Sequence, residues 1–360
     1  MSSPEAKAAR AATSFSISRV RQRHPLATFL AGRILTMVVM LFLLGLGVFG
    51  LMSLSPGDIV DNYARARVLQ TSGFQSNTNT LTDEQIKEAK HRLWLDRPFY
   101  LQYFHWLHQV FVEHDLGTAL ISRAPVLYLV GTRMLNSIIL NLIELVFLTF
   151  ISFALGLYFS SKAGTRVDPV VGFVSIFLNA FPGILLLILL QMFASATGIF
   201  PVTAYPSDNF DGRPLAFTFS YLYHIILPLI GAFLGSIGGS LRLIRATMLD
   251  QLGQPYITAL RARGIPERRI YFNHAFRNTM NPFITSSSTL LADLFSGSLI
   301  LEIIFSYPGV GRLMYEAITQ KDINLVMTNL MFTSFLVLVG MLISDVALAL
   351  VDPRIRYSNA

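Results

Sequence analysis

Six long apolar segments, almost free of charged side chains, constrain this chain more than any other feature. The first covers residues 34–54. As a helix it would be about 31 Å long, which matches the hydrocarbon core of a bilayer. The others are residues 134–160, 169–200, 225–241, 282–301 and 325–351. We therefore predict an all-α integral membrane protein with about six transmembrane helices.

The composition agrees with this prediction. Only 14% of the 360 residues are charged and 53% are apolar, whereas a soluble domain carries about 25% charged residues. There is no cysteine, which excludes a disulfide scaffold, a thiolate metal site and a cysteine nucleophile.

Two of the apolar segments contain helix breakers. The third carries Phe181-Pro182-Gly183, which predicts a kink, or a helix that ends early and is followed by a re-entrant loop. The fourth contains Pro228 and four glycines. Small residues at such spacing let helices approach closely in lipid. The glycines are Gly231, Gly235, Gly238 and Gly239.

The distribution of basic residues predicts the orientation. With the N-terminus inside, 17 of the 28 Lys and Arg residues fall in cytoplasmic segments, as the positive-inside rule requires. Both termini are therefore predicted to be cytoplasmic. The net charge of +7 follows from membrane topology, and no nucleic-acid partner is predicted.

The long outside loop, residues 55–133, contains an aromatic amphipathic piece from position 100 to 112. We predict a small cap lying on the membrane, with Trp94 and Trp106 at the level of the headgroups. Contact with a soluble partner outside the membrane is compatible with this arrangement.

The inside loop, residues 242–281, contains a short helix with strong signals at both ends. Pro255 can occupy the first helical position, Gly264 can adopt the left-handed conformation after the last turn, and Pro266 prevents continuation. A second helix is predicted from Glu267 to about residue 281. The bounded helix is either a docking element that transmits motion to two spans or an amphipathic segment at the lipid surface.

This loop resembles the EAA loop of the membrane subunits of ABC importers, in the version of the oligopeptide, dipeptide and nickel permease family. The resemblance covers residues 256–264, 267–269 and 274–282. Other matching motifs are Asp96-Arg97-Pro98, the stretch from Ser296 to Arg312, and residues 352–356. The sequence departs from the motif at Thr258, where the family motif has glutamate, and at Leu260, where it has its second alanine.

The resemblance implies a type I ABC importer permease with a periplasmic loop domain between helices 1 and 2. It implies a second homologous permease subunit, two cytoplasmic ATPase subunits, an extracytoplasmic solute-binding protein and an inner-membrane location. The residues expected to couple to the ATPases are Tyr256, Ala259, Leu260, Arg261, Ala262, Arg263, Gly264, Glu267 and Arg268. The solute could be a peptide, nickel, an opine or a sugar.

The predicted domains follow the apolar segments. A cytoplasmic tail covers residues 1–33, the first span 34–54, the periplasmic loop 55–133, a core of five helices 134–351, and a second cytoplasmic tail 352–360. The chain contains no G-x-x-x-x-G-K-[ST] sequence, so ATP and Mg²⁺ are expected in partner subunits. We predict no cofactor, no metal site and no catalytic residue in this chain.

Polar residues within the apolar segments are candidates for lining a solute path, because such residues are costly in lipid. Asn141 and Glu144 share a helix face, and Asp293 and Asp345 lie in later segments. Hydrogen bonding between helices is the alternative role. If the chain were instead a proton-coupled secondary transporter or channel, the carboxylates would carry the protons. We find no convincing internal repeat of the kind common in such transporters.

Overall fold

The computed structural model describes residues 25–54, 91, 94, 96–119, 122–207, 210, 212–280, 283, 294–295 and 298–351. The regular structure in these ranges is helical, apart from an isolated bridge between Thr118 and Pro125. Asp293 and both terminal tails, except the start of the first helix, lie outside the described residues. The chain divides into two compact units, residues 1–116 with 330–360, and Gly117–Asn329.

The first unit contains helix α1 (Pro25–Leu54) and helix α2 (Phe99–His108), which continues into a π-helical turn (Gln109–Glu113). Two buried aromatic side chains of α2, Tyr103 and Trp106, hold it against α1. Trp106 is only 6% exposed, so its ring packs inside the unit, and the predicted headgroup level of Trp94 and Trp106 stays a prediction. Trp94 remains exposed, at 39%.

The second unit begins with helix α3 (Val126–Ser160), followed by α4 (Val167–Ala180), α5 (Gly183–Thr197) and α6 (Pro214–Leu252). Helix α3 starts eight residues before the apolar segment at position 134 and continues it without a break. Helix α6 has 39 residues, about 58 Å, which is longer than the hydrocarbon core is thick.

The predicted break in the third segment is confirmed. Helices α4 and α5 meet at an angle of 92°. Phe181 precedes Pro182 and has extended backbone angles, with φ −71° and ψ 130°, because the proline ring excludes the helical conformation for the residue before it.

The remaining helices are shorter until the last. They are α7 (Pro255–Ala262), α8 (Glu267–Arg269), a π-helical turn (Ile270–Ala275), α9 (Phe276–Thr279), α10 (Leu299–Ile304), α11 (Val310–Gln320) and α12 (Ile323–Val351). Helix α12 contributes its residues from position 330 onward to the first unit.

Four described helices are long and apolar enough to cross a membrane, and the bent pair α4–α5 is a candidate fifth crossing. The four stretches are Leu30–Leu54, Val126–Ser160, Pro214–Leu252 and Ile323–Val346. The predicted segment 282–301 lies largely outside the described residues. The count of six spans therefore stays a prediction.

The glycines of α6 permit close packing within the second unit. A Cβ atom at Gly238 would overlap the carbonyl oxygen of Ser175 and lie 3.0 Å from the backbone nitrogen of Asn179, both on α4. Gly231 leaves no room beside Leu187 of α5. Gly235, in contrast, faces open space. Small residues therefore let α6 approach α4 and α5, as the sequence predicts.

Candidate coupling site and solute path

Helix α7 has well-defined ends. Pro255 occupies its first turn, where the missing N–H has no helical partner to lose. At the other end the Ile265 N–H donates to the Leu260 carbonyl (3.2 Å) and the Gly264 N–H to the Arg261 carbonyl (2.9 Å). Gly264 has φ +73°. These features define a Schellman motif, and the predicted left-handed glycine is confirmed.

One face of α7 is buried in a small apolar core. Ile257 is fully buried with Met248, Ile270 and Ala275. Leu260 and Ile265, the pair whose contact commonly accompanies a Schellman motif, also pack against this core. The helix is thereby fixed to the end of α6 and to the π-helical turn.

The coupling residues predicted from the sequence divide into two groups. Tyr256 and Leu260 are partly buried and pack inward. The others form an exposed surface, here called the coupling face: Ala259, Arg261, Ala262, Arg263, Gly264, Glu267 and Arg268.

An ion pair closes the turn after α7. The Arg261 guanidinium donates from Nε to Glu267 Oε1 (2.7 Å), with a longer contact of 3.4 Å from its NH2 group to Oε2. This hydrogen bond raises the pKa of Arg261 above its ordinary value. Both side chains are about half exposed, so the pair adds less than about 1 kcal/mol of stability.

The Tyr256 hydroxyl connects three parts of the coupling loop. It donates to Gln251 Oε1 at the end of α6 (3.1 Å) and accepts from Asn278 Nδ2 on α9 (3.1 Å). The phenol therefore ties the start of α7 to the helices before and after it.

The π-helical turn Ile270–Ala275 is absent from the sequence prediction, which expects one regular helix after Glu267. The prediction is otherwise close, because helical structure runs from Glu267 to Thr279. Such turns are frequent at functional sites. No local residue pattern marks this one, whose buried members, Ile270 and Ala275, pack against the core beneath α7.

A second ion pair joins α4 to α6 near the coupling loop. The Arg245 guanidinium contacts the Asp168 carboxylate, which also accepts from the Gly164 N–H (3.0 Å). Asp168 lies in the first turn of α4, where a carboxylate stabilises the helix dipole. The turn between α3 and α4 is thus tied to the helix that leads into α7.

The path candidates have different surroundings. Asn141 Nδ2 donates to the Leu294 carbonyl (3.0 Å), so this face of α3 meets the later apolar segment. Glu144, one turn further along α3, is partly buried and has no hydrogen bond or ion pair among the described residues. Asp345 pairs with Arg33 (2.9 Å), so its carboxylate is accounted for within the first unit.

Glu302 lies within the motif stretch from Ser296 to Arg312, but no role was predicted for it from the sequence. It is one of two carboxylates in the described residues with a relative exposure of 0%; the other is Asp322. Glu302 accepts from the Ser137 hydroxyl (2.7 Å) and from the Arg312 N–H (2.9 Å). Ser137 accepts in turn from the Val310 N–H (2.8 Å). Two N–H groups in the first turn of α11, which have no acceptor within the helix, therefore donate to side chains. A Cβ atom at Gly309 would overlap the Glu302 carboxylate.

The non-helical segment before α11 is held by further hydrogen bonds. Tyr307 donates its hydroxyl to the Asn136 carbonyl (2.7 Å), and Asn136 Nδ2 donates to the Pro308 carbonyl (3.0 Å). Tyr221 must then donate to the Tyr307 hydroxyl, 2.9 Å away. We call residues 302–312 with these partners the Glu302 hub.

These features define a class of protein. Apolar helices of membrane-spanning length pack around buried polar contacts in the second unit, and a short, well-bounded helix presents a basic face at the end of one of them. The arrangement is that of a membrane transport subunit.

Comparison with known families identifies the class more closely. Residues 152–357 match the family described as the binding-protein-dependent transport system inner membrane component. Residues 26–153 match its N-terminal domain. The chain belongs to this family.

Individual relatives of the chain are permease subunits, in agreement with the family match. The chain is 31% identical over 284 residues to an oligopeptide transport system permease protein of Bacillus subtilis, covering 77% of this chain and 88% of the relative. It is 32% identical over 284 residues to an inner membrane ABC transporter permease protein of Escherichia coli O157:H7, covering 78% of each. It is 28% identical over 278 residues to a dipeptide transport system permease protein of Lactococcus lactis, covering 77% of this chain and 87% of the relative.

Family membership confirms the main predictions. The chain is an all-α, type I permease subunit of an ATP-driven ABC importer in the inner membrane, and the subunit itself is not an enzyme. The family works with ATPase subunits and a solute-binding protein. The alternative of a proton-coupled secondary transporter finds no support in these matches.

Proposed function

We propose that the coupling face of α7 docks onto a cytoplasmic ATPase subunit, and that this contact converts ATP-driven closure into movement of the spans. The observation that carries the proposal is the construction of α7. Both ends are fixed, one face is buried against α6, and Ala259, Arg261, Ala262 and Arg263 remain exposed. Tyr256 and Leu260 serve the same coupling from inside, because they hold the helix to its neighbours.

The proposed assembly contains this chain, a second homologous permease subunit and two ATPase subunits, with lipid around the spans. ATP and Mg²⁺ bind in the ATPases. The solute-binding protein delivers solute on the opposite side of the membrane. The proposed solute is a peptide or a related small molecule, because relatives are named for oligopeptide and dipeptide transport.

The proposed topology places both termini in the cytoplasm and residues 55–133 largely outside. The ion pair between Arg33 and Asp345 supports it. Arg33 lies near the start of α1 and Asp345 near the end of α12, so these two helix ends are at the same membrane level. The proposed transmembrane core of five helices covers residues 134–351 and contains the cytoplasmic coupling loop, residues 242–281.

The proposed solute path runs along the face of α3 that carries Asn141 and Glu144, with Asp293 as a further candidate. The contact from Asn141 to the Leu294 carbonyl supports it, because it brings this face next to the segment that contains Asp293. A carboxylate without a described partner within a span favours contact with water or a cationic group.

Gly264→Val tests the coupling role. The left-handed backbone at φ +73° costs a side-chain-bearing residue about 1–2 kcal/mol, so the Schellman turn should distort. We expect the assembled transporter to hydrolyse ATP while its solute uptake per ATP falls. Both rates are measured in proteoliposomes that contain the solute-binding protein.

The matched control is Gly253→Ala, nearby in the same loop. Gly253 has φ −80°, and an added methyl group would meet only ordinary contacts, the nearest being the Asp250 carbonyl oxygen at 3.6 Å. This variant should keep wild-type coupling. Wild-type coupling in Gly264→Val would count against the docking role.

Glu144→Gln tests the path. The substitution removes the charge and keeps the shape, so assembly should persist while solute uptake falls. Uptake is compared with the amount of variant recovered in the assembled complex. Unchanged uptake would remove Glu144 from the path.

A further inference from the structure

Helix α2 and its π-helical turn, Phe99–Glu113, have an exposed face that is apolar and uncharged, which is unusual for a segment in contact with water. Positions 98–112 contain no Asp, Glu, Lys or Arg, while Asp96 and Arg97 precede them and Glu113 follows. Apolar side chains on this segment are extensively exposed: Phe99, Tyr100, Leu101, Phe104, Phe111 and Val112. Phe104 is 52% and Phe111 72% exposed.

The other face of α2 packs on α1 within the apolar segment of that helix. The Tyr103 ring lies 5.5 Å from the rings of both Phe42 and Phe49, measured between centroids. A Cβ atom at Gly45 would lie 2.6 Å from the Tyr103 hydroxyl oxygen. The glycine therefore makes room for α2 directly against the backbone of the span.

This contact sets the depth of α2. Gly45 lies nine residues before Leu54, the end of the apolar segment, which is about 14 Å along a helix. The hydrocarbon core is about 30 Å thick. Helix α2 therefore crosses α1 inside one half of the core and not above the membrane surface.

Three polar side chains of the segment, Gln102, His105 and His108, contact neighbouring residues near its two ends. Gln102 Nε2 donates to the Arg97 carbonyl (2.8 Å), and the His105 ring stacks on Trp94 at 4.1 Å. His108 Nδ1 lies 3.3 Å from Glu113 Oε1 at the far end. The exposed face between these ends is left without a charged group.

The segment is too short to cross the membrane. Its 15 residues span about 22 Å, so it must enter and leave on the same side. An apolar face with charged and aromatic residues at its ends is typical of a helix that lies in the membrane interface.

We propose that Phe99–Glu113 is inserted into the outer leaflet beside α1, with Phe104 and Phe111 in contact with lipid acyl chains. Lipid is the occupant because the exposed Phe104 ring lies 6.1 Å from the ring of Phe42 on α1, so this face adjoins a span of which only 11% of the most apolar stretch is buried. The periplasmic loop 55–133 is then not wholly aqueous. The side of the membrane rests on the proposed topology. The depth rests on the packing against α1 together with the predicted bounds of the first span, residues 34–54.

The absence of cysteine from the sequence makes a direct test possible. Phe104→Cys and Phe111→Cys each give one site for a nitroxide spin label. The labelled full-length chain is assembled with partner subunits that lack reactive cysteine and is reconstituted into liposomes. Power saturation then measures collision with oxygen, which is concentrated in lipid, and with a water-soluble nickel chelate.

Two reference sites complete the experiment. Ser122→Cys, an exposed loop position, reports the aqueous phase, and Val38→Cys, 58% exposed on α1, reports the interior of the membrane. At Phe104 and Phe111 we expect high oxygen collision and nickel collision as low as at Val38.

Two results would overturn the proposal. Nickel collision as high as at Ser122 would place the segment in water. Low collision with both reagents would mean that protein, such as the second permease or the solute-binding protein, covers the face. Because Phe104 and Phe111 are labelled in separate variants, a substitution that disturbs assembly at one site leaves the other to report. Neither of the two contradicting results bears on the coupling role of α7.

Discussion

Glu302 shows how a single side chain can organise a non-helical segment beside the spans. Its carboxylate receives hydrogen bonds from α3 and from the first turn of α11, through Ser137 and the Arg312 N–H. The N-terminal end of a helix favours a negative charge. Gly309 leaves the space that the carboxylate fills. Buried polar groups are costly unless they are hydrogen-bonded, and the Glu302 carboxylate, the Ser137 hydroxyl and the Arg312 N–H satisfy one another.

Glu302→Ala should destabilise the protein. It leaves the Ser137 hydroxyl and the Arg312 N–H without an acceptor, and each buried orphan costs about 1–3 kcal/mol. We expect a clear fall in the thermal unfolding temperature of the detergent-solubilised chain. Glu316→Ala is the control, because Glu316 pairs with Arg312 at a partly exposed site, where such pairs add less than about 1 kcal/mol. Equal shifts in the two variants would contradict the hub.

Gly264 and Glu302 differ in how far their roles could be predicted from the sequence. Gly264 was predictable because its role is local: a left-handed turn followed by Pro266 needs only adjacent residues. Glu302 was not, because its partner Ser137 lies 165 positions away. Nothing in the local sequence distinguishes a buried carboxylate with distant partners from one that faces water at the end of an apolar segment.

At the level of elements, the crossing of α4 and α6 depends on the absence of a side chain at one position. Gly238 lies directly against the backbone of α4 at Ser175 and Asn179. Because a backbone atom cannot rotate away as a flexible side chain can, an added methyl group must push the helices apart.

Gly238→Ala should therefore weaken the packing of α4 on α6, at a cost of about 1–3 kcal/mol, as overpacking typically does. Gly235→Ala, one turn earlier on α6 and facing open space, is matched in chemistry and should be neutral within the single chain. The measurement is the unfolding temperature of each variant in the same detergent. A neutral Gly238→Ala would show that this crossing is looser than the structure indicates.

Helix ends were predicted correctly where a single proline determines them. Pro182 determines the break between α4 and α5, and Pro255 determines the start of α7. The angle of 92° at the break could not be predicted, because it depends on how α4 and α5 pack against α6. The start of α3 was missed because Gly131-Thr132-Arg133 separates the apolar residues 126–130 from the segment that begins at position 134.

At the scale of the whole molecule, two ion pairs mark helix ends within the two units. Arg33 with Asp345 joins the start of α1 to the end of α12, and Asp168 with Arg245 joins the start of α4 to the C-terminal part of α6. All four residues lie where the proposed topology places the cytoplasmic boundary. Charges paired near the ends of spans avoid the cost of isolated charges in lipid.

The proposed docking of an ATPase on α7 is the central step of transport by this permease. The most direct measurement is affinity purification of the tagged chain from its native host in mild detergent, with partners identified by mass spectrometry. An unrelated tagged multi-span protein serves as the control.

We expect a protein with a G-x-x-x-x-G-K-[ST] sequence and a second multi-span permease to be recovered with the chain and not with the control. Recovery of the chain alone, or only with copies of itself, would contradict the proposed docking of an ATPase.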